Sequence, residues 1–572
     1  MAARTEDCPN QSRRSFLGRV SSILFGLSSF ITAGAFVRVG QVIAGQPADK
    51  PRISPGEPRD ERPKRAYELR HAAAENDKTL PVVTPCQLGK TGNAAEASLP
   101  DFIGSYSKGL PCDELGQVNK LAYRVYLSAL ASGKPEDFEK IPMGGHSLLS
   151  NPRAAYSYNL DAMDSAQIPI ASHPEFTSAE TAAEAVELYW MTLLRDQPFS
   201  TYASSEEIAD AGTDLGQQMS GYADRKEDSG IVSPANIFRD GTASGSLTGP
   251  YVSQFLLVDI PYGATKIVQK YRFPLAGEDY LTTYSDWLRN QRGFLPDSAL
   301  HLDATPRYIR TGRDLAEYVH RDFTYQAFLN AALISFGAAY AKHEPRAPFS
   351  RGNPYVDSLT QTGFSTFGGP HVLEMIPRAA SISLRASWYQ KWLVFRRLRP
   401  EAFAGRIQNQ LAKKARYPIH KDLFASKVLE KIHAARKSWL LPQAYAEGAP
   451  THPAFPAGHA AIAGACATVI KAFLDESYRL PNPVQPAPDG KTLEPYRGDA
   501  KLTLGGEIDK LAANIAIGRS FAGIHWRSDC REGLKAGEAA AISVLKNWRN
   551  TTAEGADVPI RFTGFEGKQI SI

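Results

Sequence analysis

The feature that most constrains this chain is a helical apolar period with almost no competing strand signal. Between Gly506 and Ile517, residues Ile508, Leu511, Ala512, Ile515 and Ala516 fall at i, i+3, i+4, i+7 and i+8, one face of an α-helix. After His459 a similar spacing recurs in Ile462, Cys466, Val469 and Phe473, on a stretch so rich in alanine that neighbouring helices can approach closely. Segments 181–194 (TAAEAVELYWMTLL) and 314–336 (DLAEYVHRDFTYQAFLNAALISF) carry the period again, whereas strand-like runs are few and short. The patterns predict an all-α architecture of bundled helices, with the Pro-rich stretches 345–356 and 480–490 as loops between them.

At 572 residues and 43% hydrophobic content, the chain can bury one large core or two ordinary ones. Its formal net charge is +5, but residues 1–45 hold five Arg against Glu6 and Asp7, so the remainder carries only +2. Such a balance gives no reason to expect nucleic acid as a partner. From residue 46 to about 114 the sequence is rich in Pro, Gly and charge with little periodicity, and reads as an irregular arm.

Ser12-Arg13-Arg14-Ser15-Phe16-Leu17 precedes an uncharged stretch from Val20 to Val37, so residues 1–45 resemble a twin-arginine export signal. The stretch is also long enough for an uncleaved membrane anchor, although its Ser and Gly residues lower its hydrophobicity. Ala33, Ala35 and Ala44 offer alternative cleavage points. Export places the protein in the periplasm or outside the cell, where the four cysteines beyond Cys8 can pair. Cys86 and Cys112, both in Pro-flanked irregular sequence, are the candidate disulfide; Cys466 and Cys530 sit in helical patterns and read as small buried residues.

Three motifs carry chemistry. The first, Lys391-Trp-Leu-Val-Phe-Arg-Arg-Leu-Arg399-Pro400, reads as a helix end that Pro400 terminates. The long side chains of Lys391 and Arg399 can converge on one point, while Arg396 and Arg397 are assigned to the helix dipole and the solvent. The second is His452-Pro-Ala-Phe-Pro-Ala457-Gly458-His459-Ala460, where Gly458 opens an Ala-rich helix. Amides at a helix start bind oxyanions, Gly458 permits close approach, and His459 is placed for proton transfer near neutral pH. In the third, Gly518-Arg519-Ser-Phe-Ala-Gly-Ile-His525-Trp-Arg-Ser-Asp529, a helix ends near Gly518 and a turn presents Arg519, whose planar fork suits an oxyanion. His525 and Asp529 are four positions apart, so the carboxylate can fix the imidazole tautomer and leave the other ring nitrogen free for a metal or phosphorus centre.

Together the three motifs, in this order within 139 residues, resemble the vanadium haloperoxidase and acid phosphatase superfamily, with its patterns Lys…Arg-Pro, Pro-Ser-Gly-His and Ser-Arg…His…Asp. The seven residues between Lys391 and Arg399 make the chain similar to red-algal and cyanobacterial bromoperoxidases rather than to phosphatases. Further resemblance runs through Gly249-Pro-Tyr-Val-Ser-Gln-Phe255, Arg307-Tyr-Ile-Arg-Thr311, Gly368-Gly-Pro-His371 and Asn514-Ile-Ala-Ile-Gly-Arg519, and His452 stands where fungal chloroperoxidases carry Phe.

The resemblance implies two four-helix bundles, placed at residues 115–345 and 346–572, the second holding most of the site, and homodimers or larger assemblies. It implies vanadate as cofactor, held by Lys391, Arg399, Gly458 and Arg519, with His525 bound to vanadium, His459 as acid/base and His452 as a second active-site histidine. Hydrogen peroxide, polarised with help from Lys391, would oxidise halide (bromide, and iodide also) to hypohalous acid, which halogenates small organic acceptors. One departure from the pattern matters: Ala457 stands where the family usually has Ser, removing a hydroxyl donor. A hydrogen bond to a charged group contributes about 1.5–3 kcal/mol, which points to weaker vanadate binding. The competing readings are an acid phosphatase with His525 as nucleophile, and a non-catalytic descendant of the enzyme.

Overall fold

Four of the helices that position the site begin at a short polar side chain that caps them. In the computed structural model, which describes residues 58–82, 93–225, 232–297, 299–341, 348–552, 554 and 558–572, the helices that frame the site are as follows. In the first half they are α1 (Arg62–Lys78), α2 (Lys120–Ser132), α3 (Ala179–Leu193), α4 (Gly312–Arg321) and α5 (Gln326–Ala341). In the second half they are α6 (Gly369–Tyr389), α7 (Pro400–Leu411), α8 (Gly458–Phe473), α9 (Leu504–Phe521) and α10 (Arg527–Arg549). Asn119, Ser178, Thr311 and Thr503 accept first-turn amide hydrogen bonds at α2, α3, α4 and α9, satisfying donors that a helix start leaves without partners.

Helix α8 is the axis of the arrangement. It packs against α6, α9 and α10, α4 lies along α9, and every α8 residue except His459 is buried. The α8–α10 contact is a backbone approach: a Cβ on Gly537 would lie 1.9 Å from the Ala461 carbonyl, and one on Gly464 2.1 Å from that of Leu534. Only glycine fits such a crossing. One continuous hydrophobic cluster runs from Ile103 to Phe565, and the described residues belong to one compact unit. Strands are confined to three antiparallel hairpins among the described residues: β1 (Ile260–Tyr262) with β2 (Thr265–Ile267), β3 (Val484–Pro486) with β4 (Leu493–Pro495), and β5 (Arg561–Thr563) with β6 (Gln569–Ser571). The all-α expectation holds; β3 falls inside the stretch expected to be loop.

Several local expectations need correcting. The arm is not irregular throughout: α1 is a 17-residue helix with no buried residue, tied down where Gln167 Nε2 donates to the Asp77 carbonyl. The helix expected at 314–336 is two helices, α4 and α5, because Asp322 turns extended to reach a partner on α8. Pro400 opens α7 rather than closing the preceding helix, its missing N–H being harmless at a first helical position. Helix α9 continues past Gly518 through Phe521, so Arg519 sits in its last turn. Cys466 and Cys530 are buried as expected; Cys112 is a free thiol, and its expected partner Cys86 lies outside the described residues, as does the 1–45 signal.

Candidate functional site

Lys391 lies in a wider π-helical turn, Gln390–Phe395, that continues α6 and ends at left-handed Arg396. The extra residue per turn rotates the fully buried Lys391 inward, where Nζ donates to the carbonyls of Pro453 and Ala454, both at 2.8 Å. Beyond Arg396, Arg397 and Leu398 lead to Arg399, the extended residue before α7. Its guanidinium donates to the His452 carbonyl at 3.0 Å and the Ile524 carbonyl at 2.9 Å, and faces His525 Nε2 at 2.9 Å and His452 Nδ1 at 3.0 Å. Arg519 donates to the Val319 carbonyl at 2.9 Å and lies over the ring of Tyr445, while its Nε has no partner among the described residues. The structure thus brings Lys391, Arg399, His452 and His525 into one pocket, with Arg519 and His459 close enough to act on His525 electrostatically.

His525 is held from both sides. Nδ1 faces Asp529 Oδ2 at 2.9 Å and Nε2 faces the Arg399 guanidinium, an arrangement that suits a neutral ring protonated at Nδ1, with its Nε2 lone pair accepting from Arg399. Burial, with Arg399 and Lys391 adding to it, holds this imidazole well below the usual histidine range. Burial followed by Lys391 and Arg399 does the same to His452, whose ring tilts against Trp388 with centroids 4.9 Å apart. Lys391 is driven well below its ordinary value by burial and then by Arg399, and burial pushes Arg399 down to about 10.

Gly458 is the first residue of α8, preceded by buried Ala457, which offers no side-chain cap. The Ala457 N–H donates to the Asp529 carbonyl at 2.9 Å, so the start of α8 and the partner of His525 are fixed to each other. A Cβ on Gly458 would make only ordinary contacts, 3.4 Å to Trp388 and 3.5 Å to Leu384; protein packing does not demand glycine there. The side chain of His459 is 31% exposed and points Nε2 at Asp322 Oδ1, 3.2 Å away and 4% exposed.

Sequence reasoning missed Asp322, hidden inside an unbroken apolar period. It also misassigned two arginines. Arg396 makes a two-pronged ion pair with Glu96, both contacts at 2.7 Å, and Arg397 is buried, bonded to Asp529 and Glu184. A basic run beside a proline does not reveal which member faces inward.

The charge balance tests what the pocket can hold. Lys391, Arg399 and Arg519 are buried, and no described carboxylate lies within ion-pair distance of any of them, whereas buried Lys108, Arg313, Arg397, Lys471 and Lys510 each have one. A buried charge without a counter-charge is costly, so the missing negative charge belongs to a ligand. Three cations, uncapped helix-start amides and one neutral imidazole fit an oxyanion whose central atom accepts a nitrogen ligand.

A helical bundle closed around such a pocket defines a class of oxyanion-dependent enzymes. The family described as the VCPO second helical-bundle domain matches residues 420–553. The vanadium-dependent bromoperoxidase of Ascophyllum nodosum is 34% identical over 532 residues, covering 89% of this chain and 92% of that one, and the Corallina officinalis protein of the same name is 31% identical, covering 83% and 91%. The homohexameric structure of the second vanadate-dependent bromoperoxidase of Ascophyllum nodosum superposes with a TM-score of 0.84 at 28% identity over 93% of each chain. This chain belongs to the vanadium-dependent bromoperoxidase family.

Proposed function

We propose that this chain is a vanadate-dependent haloperoxidase that oxidises halide, bromide foremost and iodide also, with hydrogen peroxide to hypohalous acid, which halogenates small organic acceptors. The observation that carries the reading is the group of three buried cations, with no described carboxylate at ion-pair distance, gathered about His525, whose Nε2 faces the Arg399 guanidinium rather than an acceptor. When bound, vanadate supplies a Lewis-acid centre that activates hydrogen peroxide for two-electron oxidation of halide without changing its own oxidation state.

The protein's own groups divide the remaining work. Lys391, Arg399 and Arg519 neutralise the oxyanion, the Gly458 amide adds a dipole at the start of α8, and His525 gives the nitrogen ligand, oriented by Asp529. His459, partly exposed and backed by Asp322, holds the proton consumed when halide and peroxide become hypohalous acid and water. His452, kept neutral beside Trp388, supports Arg399 through Nδ1. The reading includes division into bundles at 115–345 and 346–572, export through the 1–45 signal to the periplasm or beyond, and assembly as a homo-oligomer. It includes no nucleic-acid partner.

The test is reconstitution: bromination of a β-diketone by the vanadate-free protein should appear on adding vanadate and be suppressed by phosphate. Efficient phosphomonoester hydrolysis by vanadate-free protein, with no bromination after loading, would overturn the reading in favour of a phosphatase.

A further inference from the structure

Arg397 stands two positions before Arg399 but points away from the oxyanion pocket. Its Nη1 donates to Asp529 Oδ1 and to Ser528 Oγ, both at 2.7 Å, and its Nη2 donates to Glu184 Oε2 at 3.0 Å. Glu184, on α3, in turn accepts from the Ser528 amide at 2.6 Å and the Ser528 hydroxyl at 3.0 Å. The guanidinium lies over the Trp526 indole at 4.9 Å, and that indole donates to the Leu398 carbonyl at 2.9 Å. All of this is buried. The Arg397 carbonyl meanwhile accepts from the Ala454 amide at 3.0 Å, and the Ala454 carbonyl is one of the two seats of Lys391 Nζ.

We infer that Arg397 and Glu184 are positioning residues for His525, acting through Asp529, and that they give the pocket its preference for an oxyanion that takes a nitrogen ligand over one held by charge alone. The inference rests on the reading of His525 as that ligand. Its physical basis is direction. Asp529 holds His525 Nδ1 and the Trp526 amide with one oxygen, Oδ2, so the carboxylate could still pivot about that oxygen. Arg397 pins the other oxygen, and Glu184 pins Arg397, which fixes the plane of the carboxylate and hence of the ring. Only a planar fork can reach two carboxylates and a hydroxyl at once; an ammonium group at the same place is a single point charge. A cage of cations tolerates a ring turned by tens of degrees. A bond from Nε2 to the central atom does not.

Vanadate and inorganic phosphate match in charge and shape, so they separate the two contributions. Arg397→Lys and Glu184→Gln are purified without vanadate, and their affinities for orthovanadate and for phosphate are measured by calorimetry beside melting temperatures. In Arg397→Lys the vanadate Kd should rise about tenfold or more, the range typical when the partner of a metal-bound histidine is disturbed, while the phosphate Kd stays within about twofold. Glu184→Gln, one bond further away, should show the same selectivity to a smaller degree, and it decides the matter if Arg397→Lys does not fold. Parallel weakening of both anions, or no change in either, would overturn the inference. Failure of the functional reading looks different: the unaltered protein itself would bind vanadate no more tightly than phosphate.

Discussion

Asp322 and His459 meet at 3.2 Å across 137 positions of sequence, and the meeting coincides with the break between α4 and α5. The helical period of 314–336 is interrupted at the one residue that supports the proposed acid/base group. Asp322→Asn retains an acceptor oxygen but loses the charge facing His459. Since a hydrogen bond to a charged partner contributes about 1.5–3 kcal/mol, the halide-oxidation rate should fall by roughly tenfold or more. Vanadate affinity should change by less than about twofold, because Asp322 touches none of the oxyanion-binding groups. Steady-state bromination rates beside a vanadate titration check both halves.

Ala457 gives a variant in which function and stability should improve together. It occupies the position before α8 and caps nothing. Ala457→Ser supplies an oxygen for a first-turn amide or a hydroxyl for the oxyanion. The first use stabilises the fold by about 1 kcal/mol and the second tightens vanadate by about tenfold. Denaturant midpoints with and without vanadate distinguish the two, since only the second grows with vanadate concentration.

Vanadate loading should itself stabilise the protein, because it places negative charge among Lys391, Arg399 and Arg519. At a hundred times the Kd the gain is about 2.7 kcal/mol. Lys391→Met removes one of the three buried cations; with affinity lowered roughly a hundredfold, the gain at the same concentration falls to about 0.4 kcal/mol. Thermal unfolding with and without vanadate, on both proteins, reads this directly.

Acid stability should depend on His371, far from the pocket. Burial, and then Arg378, pushes this ring down to about 4 from an ordinary 6.5, and its Nδ1 accepts from the Phe367 amide at 3.3 Å, which requires an unprotonated nitrogen. Between pH 6.5 and 4 the unfolded chain therefore binds a proton that the folded chain refuses, so stability falls as pH falls through that window and levels off below it. From pH 7 to pH 5 the loss is about 2 kcal/mol. Comparing His371→Gln with the unaltered protein cancels opposing groups such as Asp314, which burial pushes up to about 6. Urea unfolding should show the gap between the two proteins closing by that amount at pH 5.

The helices around the site were legible because their large apolar residues keep the helical period, Ile508, Leu511 and Ile515 pointing into one core, even though α8 and α9 are buried on nearly every side. The pocket was legible for a different reason, since residue types as unlike as Lys391, Gly458 and His525 are rarely spaced this way except around an oxyanion. What stayed hidden depended on tertiary partners. Arg397 is indistinguishable from Arg396 in sequence, yet one meets Asp529 and the other Glu96. The end of α4 could not be read because Asp322 leaves the helix for a partner 137 residues later. The π-helical turn that aims Lys391 and the opening of α7 at Pro400 are both set by how α6 must hand over to the next helix, which local propensity does not encode.

Helix α8 gives every residue to the interior but His459. An imidazole mounted on such a rod moves chiefly through its own two side-chain torsions, because the backbone beneath it is packed on every side. Conditions that loosen only the periphery leave that post standing, so on the proposed reading the acid/base group should keep its place until the core itself opens.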